Sequence, residues 1–252
     1  MRRQLTRTAA MMLYPLTRRI SGVRILCYHG VTNQRSYLNV SPSDFNLQMS
    51  LLAEQGYKTI SIHEFLGMSQ HNPDAKNIII TFDDGYADNY ENAFPIMRQF
   101  GFTGTIFCTT GSIATRKFLN NEQILEMQAQ GWEFGSHTVT HPHLPQLATA
   151  QKITELSDSM SQLAAIIGRT ADSFCYPYGE YDLESIKILA ELGYRGACSN
   201  RPGVNRAGAI DNPYLLRRTE IGGFDTIGDF RLKIGGAFDL LHQILHIVRG
   251  RP

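Results

Sequence analysis

The stretch "NIIITFDDGYADNY", residues 77–90, decides how the chain is read. Its apolar, β-branched start predicts a buried strand over 77–82. That strand ends in two adjacent carboxylates, Asp83 and Asp84, followed by Gly85. On a regular strand neighbouring side chains face opposite ways. Two aspartates can therefore converge on one site only where the strand stops and the chain bends, and Gly85 permits the bend. Carboxylates this close repel, and a cation beside them relieves the repulsion. Taken alone, Asp-Asp-Gly also reads as a solvated turn.

Outward from this strand the pattern repeats. Further strands are expected at 23–28, 103–108, 132–136, 173–176 and 194–198, with helices at 43–55, 88–100, 120–130, 146–167 and 182–192. Tyr90, Phe94, Met97 and Phe100 recur at helical spacing and are assigned to the core. Strands alternating with helices predict an α/β fold of parallel strands joined by crossover helices. In such folds active groups gather beyond the C-terminal ends of the strands. His29, Asp83, Asp84, His137 and Pro177 all fall at such ends.

The second informative stretch is "GSHTVTHPHL", residues 135–144. His137 and His141 follow a strand at H-x-x-x-H spacing, which on one helical turn or a tight loop points both imidazoles the same way. Two imidazoles and one carboxylate leave a tetrahedral zinc one open position, the arrangement of a catalytic site. His143 has no such geometric claim and is read as a surface residue.

Composition narrows the function class. The chain has 252 residues, 42% of them hydrophobic and 19% charged, and a net charge of +1 from 24 basic and 23 acidic residues. That balance carries no electrostatic footprint for nucleic acid. Cys27, Cys108, Cys175 and Cys198 form no C-x-x-C pair, and three of them fall in apolar strand-like runs where a small buried thiol is expected. The N-terminal "MRRQLTRTAAMMLYPLTRRI" has no uncharged run long enough to span a bilayer and no cleavage site of signal-peptide type. It is expected to be a basic, amphipathic surface segment. A cytoplasmic location is expected, with peripheral contact at the inner membrane surface as an added expectation.

"TFDDGY" and "SHTVTHP" resemble the first two motifs of the polysaccharide deacetylases, the NodB-homology domain of carbohydrate esterase family four. The resemblance runs from about Arg24 to Arg218. It implies a distorted (β/α) barrel of about seven parallel strands over residues 23–222, flanked by a basic segment at 1–22 and a helical extension at 223–252. It also implies metal-dependent removal of N-acetyl groups from an amino sugar. Carried over by motif, Asp84, His137 and His141 hold a divalent metal, zinc first, with cobalt, nickel or manganese as alternatives. Asp83 becomes the general base toward the attacking water. In "FCYPYGEYD", Pro177, Tyr178 and Gly179 match the third motif, so Pro177 and Tyr178 would border the substrate and the Tyr178 N–H would face the oxyanion.

Two departures stand out. The arginine that the family uses to orient the base is absent from the third motif, where Cys175 or Tyr176 replaces it. The fourth-motif region "GYRGACSNRPG" offers no aspartate. Arg217 or Arg218 could substitute for the arginine. The Leu-x-x-His that supplies the general acid is sought near the C-terminus, yet His242 and His246 lie on an amphipathic pattern and read as polar-face residues. Leu26-Cys27-Tyr28-His29 offers the motif at the other end of the chain. His29 is then the acid, and the chain resembles circularly permuted members of the family. The partner expected is an N-acetylated saccharide. Rival readings are hydrolysis of another carbon–nitrogen bond, such as a formamide or cyclic imide, or a carbohydrate-binding pseudoenzyme.

Overall fold

The structure is a computed structural model and describes residues 2–17, 21–70, 72 and 75–241. The strands are β1 (Arg24–Tyr28), β2 (Gly30–Val31), β3 (Asn39–Val40), β4 (Lys58–Thr59), β5 (Asn77–Phe82), β6 (Thr105–Cys108), β7 (Glu133–Ser136), β8 (Ser173–Cys175), β9 (Gly196–Cys198) and β10 (Thr219–Glu220). The α-helices are α1 (Arg2–Thr17), α2 (Pro42–Glu54), α3 (Ile62–Gly67), α4 (Phe94–Gln99), α5 (Asn121–Ala129), α6 (Thr149–Ile167), α7 (Leu183–Glu191) and α8 (Ile227–Ile234).

Seven strands run in the order β10-β1-β5-β6-β7-β8-β9, and every ladder between them is parallel. They curl into an incomplete (β/α) barrel, as the resemblance implies. β4 pairs with the start of β5, beside the β6 ladder at its end. The register explains the burial. Ile25, Ile79, Phe107, Cys175, Cys198 and Leu216 form the core inside the barrel. The alternate residues Leu26, Tyr28, Ile78, Ile80 and Phe82 pack outward against the helices. A strand covered on both faces must be apolar throughout, which is why residues 78–82 are continuously buried. Tyr28, Phe45, Phe82, Phe94 and Trp132 form a connected aromatic cluster on that outer side.

The helix predicted over 88–100 opens as a π-turn, Asn89–Ala93, before α4. Its Phe94 and Met97 are buried, with Tyr90 and Phe100 packed against the same core. α1 packs on α8 and the segment after it, with Ala10, Leu232, Ala237 and Leu241 in one buried cluster. Among the described residues no helix is long and apolar enough to cross a membrane. His242, His246 and the amphipathic pattern around them lie outside the described residues.

Candidate metal and catalytic centre

The two aspartates of β5 part company at the strand end. Asp83 continues the inward-facing series of Ile79 and Thr81 and is buried. Asp84 adopts φ +73° and Gly85 φ +79°. The left-handed turn re-aims the second carboxylate along the rim, and a Cβ at position 85 would meet Cys108 Sγ at 3.2 Å. Beyond β7 the chain does not continue as a helix. Thr138 and His141 both adopt left-handed backbone, at φ +66° and +60°, which is uncommon for any residue but glycine and more so for a β-branched one. Glu155 of α6 holds this loop in place. It accepts hydrogen bonds from the N–H groups of Val139 and Thr140 at 2.8 and 3.0 Å and from the Thr140 hydroxyl at 2.7 Å. His141 N–H donates to Thr138 Oγ1 at 3.0 Å.

The result is a convergence of three donors. Asp84 Oδ1 lies 3.6 Å from His137 Nε2 and 3.5 Å from His141 Nε2. Bonds of about 2.0–2.1 Å to a tetrahedral zinc would separate ligand atoms by about 3.3–3.4 Å, so the spacing fits a cation at their common centre. His137 Nδ1 donates to the Cys175 carbonyl at 2.7 Å, which turns the bare Nε2 lone pair toward Asp84. Burial lowers the His137 pKa and keeps the ring neutral, as a ligand must be. Cys27 with His29 and Asp83, and Asp83 with His137 and Cys175, also cluster. They suit a metal less well. Asp83 is already engaged by an arginine, and burial pushes the Cys27 and Cys175 thiols up, away from the thiolate form. Glu155→Ala is expected to weaken metal binding about 10–100-fold by freeing the loop that carries His141. Competition with a chromophoric chelator would measure this, and helix content would stay unchanged.

Asp83 sits beside the triad. Arg218 donates to both of its oxygens, at 2.7 Å to Oδ1 and 2.8 Å to Oδ2. Burial alone would raise the carboxyl pKa, but the Arg218 guanidinium outweighs it and holds Asp83 well below the usual carboxylate range. Arg218 is itself buried and also donates to the Ser199 carbonyl at 3.1 Å and to Asn200 Oδ1 at 2.8 Å. Of the two candidate arginines, Arg218 reaches Asp83, while Arg217 donates to the Pro202 carbonyl. Asn200 thus accepts from Arg218, where the family resemblance implies an aspartate. Cys27 and Cys175 Sγ each approach Asp83 Oδ2 at 3.5 Å. All four cysteines are buried and free, one more than the strand-like runs led one to expect.

His29 Nε2 stands 4.0 Å from Asp83 Oδ2. The π-turn fixes the segment that carries it. Asn89 donates to the His29 carbonyl at 2.8 Å, Asp88 accepts from the Val31 N–H at 3.0 Å, and Asn92 donates to the Val31 carbonyl at 2.8 Å. A π-turn brings side chains to one face that an α-helix would spread, and no sequence period announced it. On the opposite rim Tyr178 has φ +58° and its ring is 54% exposed. The ring stacks on His143 at 4.0 Å and meets His141 edge-on at 4.6 Å. Pro177 is buried beneath it. His143 also pairs with Glu180 at 2.8 Å. The structure thus gathers Asp83, Asp84, His137, His141, His29 and Tyr178 at one end of the barrel.

The chain is similar to known proteins in sequence and in fold. The family model described as polysaccharide deacetylase matches residues 70–197. The YxkH protein of Bacillus subtilis (strain 168), named for the same family, is 33% identical over 199 residues, covering 78% of this chain and 70% of the relative. The poly-beta-1,6-N-acetyl-D-glucosamine N-deacetylase of Staphylococcus aureus (strain MSSA476) is 27% identical over 172 residues. That match covers 62% of this chain and 59% of the staphylococcal protein. The solved structure of the Streptococcus pyogenes deacetylase PplD in complex with acetate has a TM-score of 0.78 at 26% identity, covering 84% of this chain and 97% of that one. With its barrel, its motifs and half of its length matched in this way, the chain belongs to the polysaccharide deacetylase family.

Proposed function

We propose that this protein is a metal-dependent N-deacetylase of an amino-sugar polymer or its precursor, a circularly permuted member of carbohydrate esterase family four. The observation that carries the proposal is the three-donor cluster of Asp84, His137 and His141 beside an arginine-held Asp83. The staphylococcal relative, named for a poly-N-acetylglucosamine substrate, supports the substrate class. The permuted reading is supported by β1, which lies between β5 and β10 and delivers His29 next to Asp83.

A divalent cation, zinc by its donor set, would supply Lewis-acid polarisation of the acetyl carbonyl and of the attacking water. Asp83, kept ionised by Arg218, accepts a proton from that water as the new carbon–oxygen bond forms. The Tyr178 N–H donates to the developing oxyanion. His29 Nε2 gives a proton to the nitrogen as the carbon–nitrogen bond breaks, and acetate and the free amine leave. Pro177 and Tyr178 border the acetyl group. The test is acetate release across a panel of N-acetylated oligosaccharides. Activity should vanish with a chelator and return with zinc, and a chelator-insensitive rate would sink the reading. His29→Ala should keep its metal and lose about 10²–10⁴ in turnover. An unchanged rate in that variant would remove His29 as the acid and the permutation with it.

A further inference from the structure

β9 and β10 end the strand order, so the barrel has a seam. It is stitched low down by the parallel bridge between Cys198 and Leu216 and by the Arg218 N–H donating to the Arg201 carbonyl at 2.9 Å. Beside β10 runs a cavity of about 560 Å³, within the usual range for a small-ligand site. Asn200 and Arg218 line it, so it reaches the residues that hold Asp83. Tyr37, Phe224 and Glu220 line it as well. The two aromatic residues are 56% and 39% exposed, and their flat apolar faces suit the C–H face of a pyranose ring.

The charges in this cavity are almost all spent on each other. Arg218 pairs with Asp83, Lys233 with Asp225, Arg7 with Asp229, and Asp239 with Arg24. Arg35 sits outside the lining, over the Phe224 ring at 5.2 Å. Glu220 is different. Its carboxylate accepts from the Tyr37 hydroxyl at 3.3 Å, and no Lys or Arg among the described residues forms an ion pair with it. By register Glu220 lies level with Cys27, two residues before His29. Lys233 Nζ donates to the Glu220 backbone carbonyl at 2.7 Å, not to its carboxylate. Among the described residues the Glu220 carboxylate is therefore the one acid lining the cavity without a Lys or Arg side chain paired to it, and the Tyr37 ring lies beside it. A neutral acetamide would leave that charge unmatched, whereas an ammonium group would answer it with a charge-assisted hydrogen bond, roughly twice as strong as a neutral one.

We propose that the seam is a subsite for a neighbouring amino-sugar residue that already carries a free amine, with Glu220 as the group that recognises its ammonium. This rests on the deacetylase reading and extends it. The protein would favour partly deacetylated chains, and each free amine would direct the next event to an adjacent residue.

The experiment compares binding of labelled glucosamine and N-acetylglucosamine pentamers to the full-length, metal-loaded protein and to Glu220→Gln, at low and high salt. Turnover on partly and fully acetylated pentamers is measured in parallel. The wild type should prefer the amine-bearing ligand, and salt should weaken the preference. Glu220→Gln, with Glu220→Ala as a second variant, should cut that preference about tenfold in both binding and kcat/KM. Tyr37→Ala and Phe224→Ala should weaken both pentamers together. A preference that survives loss of the carboxylate, or no preference in the wild type, overturns the subsite. Binding needs no turnover, so the two readings fail separately. Glu220-dependent amine binding without acetate release sinks only the deacetylase reading, and acetate release without Glu220-dependent preference sinks only the subsite.

Discussion

Arg218→Met is expected to lower the stability of this protein by about 3–5 kcal/mol and to abolish acetate release. The side chains of Arg218 and Asp83 are 1% and 4% exposed, so removing the guanidinium strands a carboxylate away from water. For a chain of this size the loss is about 6–20 °C in melting temperature. Freed of Arg218, Asp83 keeps the burial that raises its pKa and loses the charge that lowers it. Its protonated form, which cannot accept a proton, is then favoured. The pH dependence follows in sign. A depressed folded-state pKa contributes stability that is present above the unfolded carboxylate value, about 3.9, and lost as pH falls through the folded value. Arg218→Met should therefore lose stability most at neutral pH and converge with the wild type in acid, as thermal melts between pH 2 and 7 would show. Arg218→Met combined with Asp83→Leu should recover much of the stability and none of the activity. A single variant as stable as the wild type would mean that the pair is not buried as described.

The second large effect separates the neighbouring aspartates. Asp84→Asn should empty the site, with metal content near zero after dialysis and no turnover. Asp83→Asn should retain metal and lose about 10²–10⁴ in turnover, the usual worth of a general base. It should also melt lower than Asp84→Asn, because the amide leaves the buried Arg218 charge without its counter-ion. Metal analysis and melting of the two purified variants decide the matter. Metal loss from Asp83→Asn with retention in Asp84→Asn would exchange the two roles.

Much of the architecture was legible in order along the chain. Residues 77–82 could be placed as a strand because a segment covered on both faces has to be apolar throughout. A bend after Asp83 and Asp84 was legible for a related reason, since two adjacent carboxylates cannot share a site on a straight strand, but the left-handed backbone at Asp84 itself was not. H-x-x-x-H after β7 located two imidazoles, although the loop that aims them is held by Glu155, fourteen residues beyond His141. Arg218 was named only as a candidate beside Arg217, since composition alone cannot tell which of two consecutive residues faces inward.

What the sequence determined by itself, then, is local. It sets where strands start and stop, which residue types arrive at their ends, and that a carboxylate pair and two imidazoles sit beside bends. Only the tertiary structure decided which arginine neutralises Asp83, that Asn89 and Asp88 pin the segment bearing His29, and that no Lys or Arg side chain among the described residues pairs with the Glu220 carboxylate. Those outcomes depend on strand register and barrel closure, which pair residues as distant as 83 and 218. A one-residue shift in register reverses which side chains face the interior, and no short window of sequence carries that information.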